Sequence, residues 1–214
     1  MRIDELTGYK QNQIYNKAKT LMSPASIATA MADMRSTEGY SSIKSVRNAL
    51  LNKFMAFLNE HGFVKLGMGT FGLVFEKPGY PWVFKIFNDD RAYMDYIKYA
   101  TAHQANPNVP KIKGNLIKID KYTYAIRIEK LTPFKPAPEN DSEHDLHRLL
   151  LILCDWRSCY PDAKKFVEDK FPGIYSIIMD LSNDGNWLLD LHEDNIMLRG
   201  NTPVLVDPVW EGHR

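Results

Sequence analysis

Cysteine is nearly missing from this chain. Cys154 and Cys159 are the only two in 214 residues, too few for a disulfide framework and in keeping with a reducing compartment. No run approaches the roughly 18 apolar residues of a membrane-spanning helix. The first residues, MRIDELTGYKQNQ, lack the apolar core of an export signal. Neither sign of charge dominates: 27 Lys and Arg against 26 Asp and Glu leave a net charge of +1. That balance argues against a broad nucleic-acid footprint. Internal repeats and low-complexity tracts are also missing. What is present is an ordinary folded composition, 44% hydrophobic and 25% charged, enough for one domain or two small lobes.

Hydrophobic periodicity divides the chain. Residues 1–60 read as helical, most strongly in SSIKSVRNALLNKFMAFLNEHGF. There Ile43, Val46, Leu50, Phe54, Phe57 and Leu58 share a face and Gly62 supplies a stop. From Phe63 to Phe87 the pattern becomes strand–turn–strand around KPGYP. DDRAYMDYIKYATAH (89–103) returns to helix, and GNLIKID with YTYAIRIEKL suggests another pair of strands. PFKPAPEN (133–140) reads as a linker and a lobe boundary. Two helical stretches follow, DSEHDLHRLLLILCDWRSCY and PDAKKFVEDKFPGIYSIIMDLSN, the latter broken at Pro172. NIML and VLVD close the chain as a hairpin. This order predicts an α+β fold with a helical segment, 1–60, ahead of two lobes, 61–132 and 133–214.

The strands carry the chemistry. LGMGTFGLVF places Gly67, Gly69 and Gly72 as G-x-G-x-x-G, followed by Val74. In a dinucleotide site such glycines open a helix. Here strand residues follow, which suits a flap whose backbone N–H groups can approach phosphates. Lys85, thirteen residues past Gly72, is flanked by Val83, Phe84, Ile86 and Phe87. Alone it reads as a snorkelling lysine; behind a glycine flap, phosphate oxygens become its natural partner. Near the C-terminus, LDLHEDNIMLRGNTPVLVDP sets Asp190 and Asn195 five apart, with Asp207 twelve further on.

In combination these spacings resemble the protein-kinase signature, a D-x-x-x-x-N catalytic loop followed by a metal-binding Asp. LGMGTFG, DLHEDNIML and VLVDPV together look like the early-expressed serine/threonine kinases of T-seven-type bacteriophages, over roughly residues 60–210. The resemblance implies a bilobal protein-kinase-like fold with a small β-rich N-lobe, a reduced helical C-lobe and an extra N-terminal helical segment. It implies ATP and Mg²⁺ as cofactors. Asp190 would orient the acceptor hydroxyl, Asn195 and Asp207 would hold the metal, and Lys85 would hold the phosphates. Gly67, Gly69, Gly72 and Val74 would cover the nucleotide. Glu129 and Leu131, in IEKL, would border adenine as a hinge. His192 either touches the transferring phosphate when protonated or serves as an ordinary loop histidine. The implied partners are host proteins of transcription or RNA metabolism, met in the host cytoplasm, with no membrane and no direct nucleic-acid contact.

The chain also departs from that pattern. Leu188 stands where kinases usually have a histidine, two residues before Asp190. No glutamate occurs between Lys85 and Glu129, so Asp95 is the best-placed substitute on the intervening helix, unless it is a solvated side chain. Seven residues follow Asp207: either the natural chain extends beyond Arg214, or a peptide is held by other elements, the N-terminal helices and the 139–171 region being the candidates. His144, His147, Cys154 and Cys159 do not form a closed zinc set, and packing explains them better. Two rival readings follow from these departures. One is a catalytically weak kinase-like module that engages and modulates a host protein; the other is a small-molecule kinase.

Overall fold

The computed structural model describes residues 13, 16, 17, 20, 43–68, 72–88, 90–119, 123–134, 141–184 and 187–211. Most of the helical segment expected before residue 43, Gly69 of the glycine turn, and residues 135–140 of the proline-rich stretch lie outside them. The helices are α1 (Ile43–Glu60), α2 (Arg91–Ala102), α3 (Asp141–Cys154), α4 (Pro161–Lys170) and α5 (Pro172–Asp184). The strands are β1 (Val64–Met68), β2 (Gly72–Glu76), β3 (Trp82–Asn88), β4 (Ile117–Lys118), β5 (Thr123–Glu129) and β6 (Thr132–Pro133). After the helices come β7 (Leu188–Leu189), a 3-10 turn (Glu193–Asn195), β8 (Ile196–Arg199), β9 (Thr202–Leu205) and β10 (Val209–Trp210).

The chain divides into two compact units, residues up to Asp89 with Gly114–Arg127, and Asp90–Lys113 with Ile128–Arg214. The first is an antiparallel sheet in the order β1-β2-β3-β5-β4, backed by α1. Alternation on the strands sorts its faces. Leu73, Phe75, Phe84, Ile86 and Ala125 turn toward Phe54 and Leu58 of α1 and form one apolar cluster with Phe63 and Ile119. The end of α1 is closed by two backbone bonds, Gly62 N–H to Asn59 O at 2.9 Å and Phe63 N–H to Leu58 O at 3.0 Å. That Schellman pattern delivers Phe63 into the cluster.

The second unit holds the remaining helices and two small ladders. Ile174, Ile177, Ile178 and Leu181 of α5 are buried at helical spacing, as are Leu146, Leu149, Leu150 and Leu153 of α3. Pro172 separates α4 from α5, where the sequence places the break. Asp90 caps α2 by accepting from Tyr93 N–H at 2.9 Å, and Ala92, Tyr93, Tyr96, Ile97 and Ala100 bury the inner face of that helix. Burial of that face, with Tyr96 Oη–H donating to Leu205 O, is why α2 joins the second unit although chain order places it in residues 61–132. Thr132 and Pro133, the latter the expected start of the linker, pair with Leu198 and Met197 as an edge strand. A further ladder, β7 with β10, has no alternating pattern to announce it. No helix among the described residues is long and apolar enough to cross a membrane.

Candidate functional site

In the first unit the ladder register aligns three of the candidate residues. Gly67 pairs with Val74, and Val74 pairs with Lys85, so the three form one row across β1, β2 and β3. The row belongs to the sheet face opposite the α1 cluster, because its members alternate with Leu73, Phe75, Phe84 and Ile86. Lys85 is half-buried between the buried Phe84 and Ile86. Gly72 has a steric reason to be glycine: a Cβ there would meet Ile86 O at 2.9 Å and Phe87 Cβ at 3.1 Å. At Gly67 an added Cβ would meet nothing within 4 Å.

In the second unit the loop Asp190–Asn195 is tied at both ends to the strand that carries Asp207. Asp190 N–H donates to Pro208 O at 2.8 Å, and Val206 N–H donates to Asn195 O at 2.9 Å. Asp207 lies between those two anchors. Asn195 is folded back on its own loop: Nδ2 donates to Asp190 O at 2.9 Å and lies 3.3 Å from Asp190 Oδ2. The same Nδ2 is 2.9 Å from His192 Nε2, so that ring nitrogen acts as the acceptor. With all its donors turned inward, Asn195 leaves Oδ1 as the end of the amide suited to a cation. His192 Nε2 is 3.7 Å from Asp190 Oδ2, and both side chains are close to half-exposed. His192 thus orients the amide of Asn195.

The donors fit a hard divalent cation, which takes few protein oxygens and completes its shell with phosphate and water. Among the described residues no group of three His, Cys, Asp or Glu is arranged to hold a metal. The charge of Asp207 is felt at α2: burial first, then the carboxylates of Asp207 and Asp90, raise the Tyr93 phenol well above its ordinary value. Asp95 pairs with Lys98 on its own helix at 2.6 Å, in a largely exposed ion pair.

Glu129 holds a position the sequence did not announce. Arg199 Nε donates to Glu129 Oε2 at 2.8 Å, and Nη2 donates to Oε1. Lys111 N–H adds a bond of 2.6 Å to Oε1, and Glu129 N–H donates to Lys111 O at 3.0 Å. Arg199 also reaches Pro107 O at 2.6 Å and Val109 O at 3.0 Å. Asn108 Nδ2 donates to Pro203 O at 2.6 Å, and Leu205 N–H donates to Asn108 O at 3.0 Å. The 106–111 loop is therefore a brace for the C-terminal hairpin. Neither Arg199 nor Asn108 stood out in the sequence. Leu131 is buried. A separate surface groove is lined by Cys159, Pro161, Lys164, Lys165, Glu168 and Tyr175, and none of the candidate residues faces it.

No protein-family model and no curated protein sequence matches the chain. Among solved structures it is similar to the crystal structure of Rad53 1–466 in complex with AMP-PNP, at 17% identity and a TM-score of 0.39. That match covers 73% of this chain and 42% of the other. It is also similar to PK-1, the kinase of Cydia pomonella granulovirus, at 13% identity and a TM-score of 0.36, covering 76% of this chain and 57% of the other. The chain thus spans about half the length of these two protein kinases. Scores this low describe a distant likeness of fold and nothing of activity.

Proposed function

We propose that this chain is a protein kinase of the bacteriophage type, transferring the γ-phosphate of ATP to Ser or Thr of host proteins. Host proteins of transcription or RNA metabolism, in the host cytoplasm, are the expected acceptors. The observation that carries the proposal is the double backbone anchor of the 190–195 loop on residues 206–208, which ties together the segments that carry Asp190, Asn195 and Asp207. Phosphoryl transfer asks a protein for positioning and charge more than for covalent chemistry, and such a preformed arrangement suits it.

Asp190 accepts the hydrogen bond, and then the proton, of the acceptor hydroxyl as its oxygen bonds to the γ-phosphorus and ADP departs. Mg²⁺, when bound with ATP, neutralises charge on the transferring group and the leaving ADP. Asn195 Oδ1 and Asp207 would hold that cation, and His192 keeps the amide of Asn195 turned the right way. Lys85 would neutralise phosphate oxygens, and Gly67, Gly69, Gly72 and Val74 would cover the nucleotide. For Glu129 the side chain and N–H are already engaged, so its carbonyl is the group left for adenine.

The test is twofold. ATP with Mg²⁺, at about 100 times the dissociation constant, should stabilise the fold by about 2.7 kcal/mol, and either alone should do less. Asp190→Asn should lower transfer of labelled phosphate by roughly 10² to 10⁴-fold while the melting temperature holds. Absence of any nucleotide-dependent stabilisation at millimolar ATP and Mg²⁺ would sink the proposal. Labelling of sugars or antibiotics in place of protein would move it to the small-molecule class.

A further inference from the structure

Leu188 and Trp210 are large apolar side chains that the second unit leaves outside, at 38% and 42% exposure. They are directly paired across the β7–β10 ladder. The next rung, Leu189 with Val209, turns the other way, and Val209 is buried. One rung further on, Asp190 N–H donates to Pro208 O, continuing the same antiparallel register. Since side chains alternate along a strand, Asp190 projects to the same side as the Leu188–Trp210 pair. Two residues of extended chain separate them, about 7 Å.

That distance is also the span of two residues in an extended ligand. A polypeptide with its acceptor hydroxyl at Asp190 therefore sets the side chain two positions away, on one side of the acceptor, over Leu188 and Trp210. The ionisable side chains of the same two segments, residues 187–195 and 207–211, are Asp190, Glu193, Asp194, Asp207 and Glu211, with His192 as their one possible cation. Segments with this excess of negative charge repel acidic chains and attract basic ones.

We propose that the ladder pair Leu188–Trp210 is the specificity surface for the acceptor. Its occupant is a basic, extended peptide segment bearing a large apolar side chain two positions from the phosphorylated Ser or Thr. This rests on the kinase reading above and adds to it which segments are chosen. The surface comes from the strand beside the acceptor loop, whereas sequence alone points to the N-terminal helices and the 139–171 region.

The experiment uses the full chain with ATP, Mg²⁺ and a set of arginine-containing serine peptides. These differ only in carrying Leu, Phe, Gly or Asp two residues before or after the serine. For the natural chain, kcat/KM with Leu or Phe at one of the two positions should exceed that with Gly by about tenfold, with Asp lower still. In Leu188→Ala and in Trp210→Ala the apolar-to-glycine ratio should fall toward one. A ratio near one in the natural chain, or a ratio unmoved in both variants, overturns the inference while leaving the kinase reading intact. Failure to label any peptide also overturns it, and stabilisation of the same sample by ATP with Mg²⁺ then tells whether the kinase reading falls too. Melting curves check the variants, and Leu188→Ala decides alone if Trp210→Ala does not fold.

Discussion

The two hairpins that carry the candidate chemistry are held in opposite ways. The glycine hairpin β1–β2 is an edge of its sheet, with a bulge between Lys65 and Gly67 and with Val64, Leu66 and Met68 exposed, Met68 at 73%. Its fixed points are its register with β3 and the apolar cluster behind Leu73 and Phe75. The C-terminal hairpin β8–β9 is gripped from outside, by Asn108 at Pro203 and Leu205, by Tyr96 at Leu205, and by the Glu129–Arg199 pair. A strand edge with few buried contacts can yield to a ligand at little cost, whereas buried hydrogen bonds resist displacement. The contrast suits a nucleotide cover that adapts and a loop that must not move.

The contrast can be broken most severely at the brace. A Cβ at Gly173 would overlap Asn108 Oδ1 and crowd Asn106 Oδ1 at 2.7 Å, so Gly173→Ala should destabilise by about 2–3 kcal/mol in denaturant titration. Arg199→Ala should follow at about 2 kcal/mol, since it strands a mostly buried Glu129 carboxylate. Glu129→Gln combined with Arg199→Ala should cost less than the sum of the two singles, and strict additivity would argue against the pairing.

Tyr96→Phe should cost about 1 kcal/mol at neutral pH through its bond to Leu205 O. It also carries a pH signal. Burial, then Tyr93 and Asp207, raise the Tyr96 phenol well above its ordinary 10.0, and burial does the same at Tyr93. The folded chain keeps protons that the unfolded chain releases, so this stability is complete below pH 10 and drains away above it. Each buried phenol steepens the loss by about 1.4 kcal/mol per pH unit, and Tyr96→Phe should remove one such share. Smallest of all is the edge: Met68→Lys should change stability by less than about 0.5 kcal/mol. A larger loss at Met68 than at Gly173 would reverse the comparison.

Legibility in the sequence followed the range of the interaction. The Gly67–Gly72 turn between strands, the apolar flanks of Lys85 and the break at Pro172 are local, and each is readable because the turn or the period is set by neighbours in the chain. The α+β order was readable for the same reason. The residue spacing of Asp190, Asn195 and Asp207 was visible, but the backbone bonds that bring them together were not. Asp95 looked usable in a list of carboxylates, and its own helix supplies Lys98.

The sequence by itself determined which segments become strand or helix and which residue types enter the proposed phosphate and metal chemistry, because periodicity and turn residues act over a few positions. Tertiary structure decided which side chains brace that chemistry. Arg199 meets Glu129 across 70 residues and Asn108 meets Pro203 across 95, and no local pattern marks one polar residue among many as the partner. It also decided that Leu188 and Trp210 share a face with Asp190, because strand pairing joins segments that a sequence holds apart.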